Sequence, residues 1–192
     1  VFPPFTGLTS NVTGVDLASL YPNTMAMFNM SPETKVEVPE GFEEAPPGRV
    51  SDMMGVPLAR VPTPDGNVWF RLDEPGIFAE LVDSAIGLKA DYKEKKQAAT
   101  GAEKKALSIK YDASKAVTNS LYGVLGWRHF FLYDREVALS ITSAGVECIK
   151  ETKRYFSEET EGEVIYGDTD SNYVQWPQEW DRDRVLEEAI AA

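Results

Sequence analysis

The sequence predicts an α+β fold, an antiparallel sheet interrupted by a pair of antiparallel helices. Three observations predict it. β-prone runs stand near both ends, at residues 11–17 and 163–176. Between them a helical apolar period is broken once by Thr100-Gly101 and then resumes, and a Pro- and Gly-rich stretch before it carries a hairpin signal.

Taken in order, Asn11-Val12-Thr13-Gly14-Val15-Asp16-Leu17 reads as a short strand that ends in a carboxylate, and Tyr21-Pro22-Asn23 opens a helical or irregular segment. From Ser31 to Pro75 the chain is rich in Pro, Gly and Glu, as in Pro39-Glu40-Gly41 and Pro46-Pro47-Gly48, which predicts loops and one hairpin. Its turn is Pro64-Asp65-Gly66-Asn67, feeding the strand Val68-Trp69-Phe70-Arg71-Leu72. Pro75-Gly76 marks a boundary, with Asp73 or Glu74 near the start of a helix. Ile77, Leu81, Ala85, Leu88 and Tyr92 then recur at helical spacing and predict its buried face. A second helix is expected from about Ala102 to Tyr122, ended by Gly123 and Gly126, and the tight turn between the two makes them antiparallel. A third helix over Arg135–Phe156 leads into a hairpin that carries Asp168 and Asp170.

With 192 residues, 43% of them hydrophobic, the chain can bury a real core. The single cysteine, Cys148, excludes an intrachain disulfide, and with one histidine, His129, there is no Cys/His set for a structural zinc. Both residues are read as structural, and the composition suits a reducing, cytoplasmic setting. No stretch reaches the roughly 18 apolar residues of a membrane span, and Val1-Phe2-Pro3-Pro4-Phe5 has none of the features of a signal peptide. Asn11-Val12-Thr13 and Asn29-Met30-Ser31 match the glycosylation acceptor pattern by chance.

A net charge of −12 argues at first against a polyanionic partner. Its distribution reverses that. Residues 1–88 hold 4 basic and 12 acidic side chains, residues 89–135 hold 10 and 5, and residues 136–192 hold 5 and 14. A basic block between acidic ones can face phosphate while its flanks face solvent or collect cations. A solvated, lysine-rich helix pair would give the same count.

Three constellations carry chemistry. In Tyr166-Gly167-Asp168-Thr169-Asp170-Ser171, two carboxylates one residue apart are expected to point the same way from a strand. Two such charges repel unless a divalent cation joins them, and hard oxygen donors suit magnesium or manganese. An Asp-rich turn that satisfies its own amides is the plainer alternative. In Asp16-Leu17-Ala18-Ser19-Leu20-Tyr21-Pro22, a carboxylate leaving a strand is followed by amides able to face a triphosphate and a ring able to lie under a sugar. In Lys115-Ala116-Val117-Thr118-Asn119-Ser120-Leu121-Tyr122-Gly123, Lys115, Asn119 and Tyr122 share one helix face, suited to phosphate and a base pair. A capping Asp with a core tyrosine, and an ordinary amphipathic helix, would explain the last two without chemistry.

Together and in this order, the three runs resemble motifs A, B and C of the family B DNA polymerases, over essentially the whole chain. The resemblance implies a palm over 1–74 and 128–192 interrupted by a two-helix fingers insertion over 75–127, a fragment of a longer polymerase. It implies that Asp16 and Asp170 are the catalytic, metal-binding aspartates, with the Leu17 carbonyl in the metal shell and Asp168 a less essential neighbour. Ser19 and the Leu20 amide would contact the triphosphate, and Tyr21 would exclude a ribose 2′-hydroxyl. Lys115 and Asn119, with Lys89 and Lys93 on the preceding helix, would bind incoming phosphates. Tyr122, Gly123 and Thr169 would lie at the nascent base pair or primer–template. Lys89 departs from the family's usual arginine and loses its bidentate geometry, and Asn23 stands where serine is common.

The implied function is template-directed addition of deoxynucleoside triphosphates to a primer 3′-hydroxyl, with two Mg2+ ions, or Mn2+ as a substitute, and release of pyrophosphate. The implied partners are primer–template DNA, deoxynucleotides and, through regions outside these residues, a sliding clamp; no membrane is involved. The acidic flanks suggest a halophilic archaeon or its virus. The rival readings are a catalytically inactive scaffold that binds DNA or replication proteins, whose mark would be a lost carboxylate, and a metal-dependent nuclease, which leaves the tyrosine and the lysine helix unexplained.

Overall fold

The computed structural model describes residues 6–38, 48–53 (backbone alone) and 55–191. The Pro-Gly runs expected to form loops at Pro39–Gly41 and Pro46–Pro47 lie outside them. The described residues are helical and antiparallel-sheet in mixture, as the sequence predicts. They divide into two compact units, Val1–Leu20 with Gly145–Ala192, and Tyr21–Ala144.

In the first unit, strands β1 (Val12–Asp16), β6 (Glu163–Asp168) and β7 (Ser171–Gln175) form a sheet in the order β1-β7-β6, antiparallel throughout. β7 is central, so the earliest strand closes onto the latest. Val164, Val174 and Trp176 bury one face with Phe156, Trp180 and Val185. Trp176 donates its indole N–H to Thr13 Oγ1 at 2.8 Å, which satisfies the one polar atom that burying the ring would otherwise strand. Asn11, the first acceptor-like asparagine, spends its side-chain amide on the Pro177 and Trp180 carbonyls at 2.9 and 3.0 Å. Burial of Cys148 pushes its thiol above the ordinary value, with Glu147 adding to the effect, as suits an inert side chain.

The second unit contains more sheet than the sequence predicts. Strands β2 (Lys35–Val36), β3 (Gly48–Met53), β4 (Val56–Thr63) and β5 (Gly66–Arg71) make an antiparallel sheet in the order β2-β5-β4-β3. The hairpin is where it was expected, but its turn is the two residues Pro64-Asp65, because Thr63 pairs with Gly66. Gly66 takes φ +126°, which a side chain would resist.

Helices α2 (Ile77–Ala98) and α3 (Gly101–Leu125) follow, joined at Ala99-Thr100. Near the turn Lys96 lies over the Tyr111 ring at 4.2 Å, while farther from it Ala85 and Leu88 line one cavity with Ala113 and Val117, so the helices run antiparallel. The expected apolar face of α2 is only half right. Phe78, Ala79 and Val82 are buried, whereas Ile77, Leu81 and Leu88 are 56%, 47% and 48% exposed. Ala85, Leu88 and Tyr92 instead line a cavity of about 270 Å³ against Lys110, Ala113, Ser114 and Val117 of α3. The period was read one residue out of phase at the root of α2, where Phe78 and Val82 join a cluster with Met25, Met30, Val61, Val68, Phe70, Leu125, Val137 and Ile141.

α2 starts just past the expected Pro75-Gly76 boundary, with Gly76 as its cap, whereas α3 runs through Gly123 to Leu125 with Gly126 as its cap. A glycine inside a helix costs about 1 kcal/mol against alanine but does not stop it. Helix α1 (Leu20–Met27) precedes this sheet. Met25, Met30, Val61, Val68, Phe70, Phe78, Val82, Leu125, Val137 and Ile141 form the core of the unit. Helix α4 (Arg135–Glu159) starts with Asp134 Oδ1 accepting the Glu136 and Val137 amides at 3.0 and 3.1 Å. Lys35 reaches Asp134 and Glu136 at 2.7 and 2.6 Å; partial burial opposes its charge, but the two carboxylates hold its ammonium above the ordinary value. A short helix α5 (Arg182–Ala191) ends the described chain. No helix among the described residues is long and apolar enough to cross a membrane.

Candidate active site

The two aspartates farthest apart in the sequence motifs are neighbours in the fold. Asp16 is the last residue of β1 and pairs in register with Ser171, the first residue of β7. The Leu17 amide then donates to the Asp170 carbonyl at 2.7 Å, extending the ladder one residue past both strands. Between the carboxylates sits the Ser171 hydroxyl, 3.0 Å from Asp16 Oδ1 and 3.5 Å from Asp170 Oδ1. A hydroxyl has one proton to give, and at these distances it goes to Asp16.

The geometry of the hairpin tip differs from the strand argument. Asp168 ends β6, but Thr169-Asp170 is the two-residue turn, so the two carboxylates are not alternate residues of one strand. The register also slips between Val164 and Tyr166, a bulge that turns the strand's alternation over so that Val164 and Gly167 are both buried and Asp168 is exposed. Asp168 Oδ1 accepts Thr169 Oγ1 at 3.3 Å. Thr169 holds φ 52°, and so does Ser19. Side chains rarely adopt this region, a β-branched one least of all, and such strain concentrates at functional sites.

Among the described residues no three His, Cys, Asp or Glu side chains gather as a metal-holding group. Two carboxylates with a hydroxyl between them are nonetheless a hard-oxygen set. That chemistry fits a divalent cation that takes its remaining ligands from water or substrate phosphate.

In the second unit the structure brings two further motif residues into contact. Tyr21, in the first turn of α1, packs against Tyr122 on α3 with ring centroids 4.6 Å apart and a 41° tilt, and both lie on the margin of the core. Leu20, immediately before, is buried, and Ser19 is half-buried. Lys89 and Lys93 lie one turn apart on α2, and Lys115 and Asn119 one turn apart on α3. Lys93, Lys115 and Asn119 are exposed, and Lys89 is half-buried. Gly123 is exposed one residue beyond Tyr122, with nothing within 4 Å of the place a Cβ would occupy.

The sequence profile of DNA polymerase family B matches residues 1–187. The chain belongs to DNA polymerase family B. It is 30% identical over 177 residues to "DNA polymerase 2" of Aeropyrum pernix, covering 91% of this chain and 20% of that protein. It is 34% identical over 184 residues to "DNA polymerase 1" of Saccharolobus solfataricus, covering 92% and 19%. Among solved structures, the family B DNA polymerase of the hyperthermophilic archaeon Pyrobaculum calidifontis matches with a TM-score of 0.66 and 28% identity, over 98% of this chain and 23% of that one. The chain thus spans about one fifth of the length of these family B relatives.

Sequence reasoning missed one residue of this site. Ser171 was part of the hexapeptide, but its role as the link between the carboxylates depends on the β1–β7 register, which no local pattern encodes.

Proposed function

We propose that this chain carries the nucleotidyl-transfer centre of a template-directed DNA polymerase, with the palm formed by residues 1–74 and 128–192 and the fingers by 75–127. The observation that carries it is the juxtaposition of Asp16 and Asp170 across the Ser171 hydroxyl. Asp16, Asp170 and the Leu17 carbonyl hold the cations, and Asp168 adds negative charge beside them. Two magnesium ions, with manganese as a substitute, would when bound activate the primer 3′-hydroxyl and stabilise the departing pyrophosphate.

The remaining roles belong to this chain's own groups. Ser19 and the Leu20 amide receive the triphosphate, and Lys89, Lys93, Lys115 and Asn119 contribute charge and hydrogen bonds to it from the helix pair. As a lysine, Lys89 acts as a point charge and not as a planar fork. The Tyr21 ring, braced by Tyr122 at 4.6 Å, fills the space a ribose 2′-hydroxyl would need, so deoxynucleotides are the substrate. Tyr122, Gly123 and Thr169 face the nascent base pair and the primer–template, with a sliding clamp engaged through other regions of the polymerase. Movement of the helix pair onto a correct pair would couple selection to chemistry.

Primer extension by the longest natural chain that carries these residues, with magnesium, tests the reading beside Asp170→Asn. Extension that the variant loses by a factor of 1,000 or more, on the order expected for a missing metal ligand, supports it. Comparable extension by the variant refutes it, and duplex binding without extension by either chain supports a scaffold instead.

A further inference from the structure

The sheet that carries the carboxylates has a second row of side chains on its exposed face, behind the acidic row. The register sets Asp16, Ser171 and Asp168 side by side across β1, β7 and β6, and two residues back it sets Gly14, Tyr173 and Tyr166 in the same way. Residues two apart on a strand share a face, so both rows look the same way. The row between them, Val15, Asn172 and Gly167, looks to the covered side, where Asn172 and Gly167 are buried.

The second row is an aromatic shelf. Tyr173 is 42% exposed, and its ring lies 5.6 Å from the Tyr166 ring, centroid to centroid, with a 39° tilt. Among the described residues neither phenol hydroxyl has a hydrogen-bond partner. On its other flank the Tyr173 ring leans over Gly14, where an added Cβ would stand 3.7 Å from Tyr173 Cε1, an ordinary contact. Gly14 does not take a left-handed φ either, so neither the backbone nor the packing requires a glycine here. A glycine inside a strand weakens it, and one retained without such a reason marks the close approach of another molecule.

The direction of that approach follows from the roles assigned above. The triphosphate lies against the chain that follows Asp16, at Ser19 and the Leu20 amide. In an in-line displacement the attacking oxygen and the leaving group stand on opposite sides of the phosphorus. The primer therefore comes from the other side, back along β1 and over the exposed face of the sheet. Two residues of strand span roughly 7 Å, which matches the reach of a sugar from its 3′-oxygen to its own 5′-phosphate.

We propose that Tyr173 is a contact residue for the primer: its ring lies under the sugar of the terminal nucleotide and its hydroxyl donates to that nucleotide's 5′-phosphate, while Tyr166 braces the ring and Gly14 leaves room for the strand. This rests on the polymerase reading above. Sugar and phosphate are the same for all four nucleotides, so the contact places the primer end without reading its base.

The test uses the longest natural chain carrying these residues and measures single-nucleotide incorporation at saturating magnesium and deoxynucleotide. Two primers are compared that differ only in the last internucleotide linkage, a phosphate in one and a neutral methylphosphonate in the other. Tyr173→Phe keeps the ring and removes the hydroxyl. It should slow incorporation about fivefold on the phosphate primer, the size of one part-exposed hydrogen bond to a charged acceptor, and match the wild-type rate on the methylphosphonate primer. The KM for deoxynucleotide stays the same. Equal slowing on both primers, which a merely structural tyrosine would give, overturns the proposal, and so does no slowing on either. Gly14→Val tests the room left for the strand. A β-branched residue suits a strand, so the melting temperature should hold or rise, while incorporation falls by about tenfold or more because the primer end is displaced; a Gly14→Val chain as fast as wild type refutes the proposal equally. Should Gly14→Val fail to fold, Tyr173→Phe, a conservative change at an exposed position, decides alone. A wild-type chain that extends neither primer brings down the polymerase reading and this one with it; a wild type that extends while Tyr173→Phe matches it on both primers brings down this one alone.

Discussion

Replacing Ser171 with alanine removes the hydroxyl that lies between Asp16 and Asp170 while leaving both carboxylates in place. Its bond to Asp16 Oδ1, at 3.0 Å, is of ordinary strength, while the 3.5 Å approach to Asp170 is too long to count. Hydrogen bonds to a charged acceptor contribute about 1.5–3 kcal/mol when buried. Asp16 is exposed and water replaces part of the loss, so about 1 kcal/mol is the working figure. That is about fivefold in an equilibrium. The quantity it should affect is cation affinity, because groups that orient a ligating carboxylate act through the cation it holds. The assay is single-nucleotide incorporation against magnesium concentration. The half-saturating magnesium should rise about fivefold, with the saturated rate nearly unchanged. An unchanged magnesium dependence would show that the hydroxyl orients nothing, and a loss as deep as that of Asp170→Asn would show that it belongs to the chemistry itself.

Two other outcomes can be checked independently. Tyr21→Ala should relax discrimination against ribonucleotides, measured as the ratio of kcat/KM for the two sugars, by roughly tenfold or more; an unchanged ratio removes Tyr21 from sugar selection. Asn172 is fully buried and neither Nδ2 nor Oδ1 has a hydrogen-bond partner among the described residues, so Asn172→Val should raise the denaturant midpoint by the equivalent of about 1–3 kcal/mol, and a fall would mean the amide is bonded after all.

What the sequence made legible was local or motif-borne. The strand ending at Asp16, the hairpin around Asp168 and Asp170, and the helix break at Thr100-Gly101 were all read correctly, since alternation and turn residues act over a few positions. The motifs pointed to the right family, which their order made specific. Two of the three errors share a physical cause. Ile77 and Leu81 fit a helical stripe, yet Phe78 and Val82 are buried, because that turn packs into a cluster with Met25, Met30, Val137 and Ile141 from distant parts of the chain. Asp170 sits in a turn and not on a strand face, because a bulge near Ile165 fixes where β6 ends. Asn29 looked like a chance glycosylation acceptor; its buried side chain instead bonds the Arg71 and Glu74 carbonyls and the Gly76 amide. For Phe78 and Asn29 the deciding neighbours are remote along the chain; for Asp170 the deciding feature is a pairing slip within one hairpin.

The order β1-β7-β6 also has a consequence for how the molecule is made. Val12–Asp16 leaves the ribosome well before Ser171–Gln175, the strand it pairs with, and must wait for it. At about 5–20 residues per second that is a wait of roughly ten to thirty seconds. Residues 21–144 are complete well before it ends and can fold in the interval. The paired carboxylates therefore do not exist on the nascent chain until Ser171–Gln175 has emerged, after the unit between them has been made.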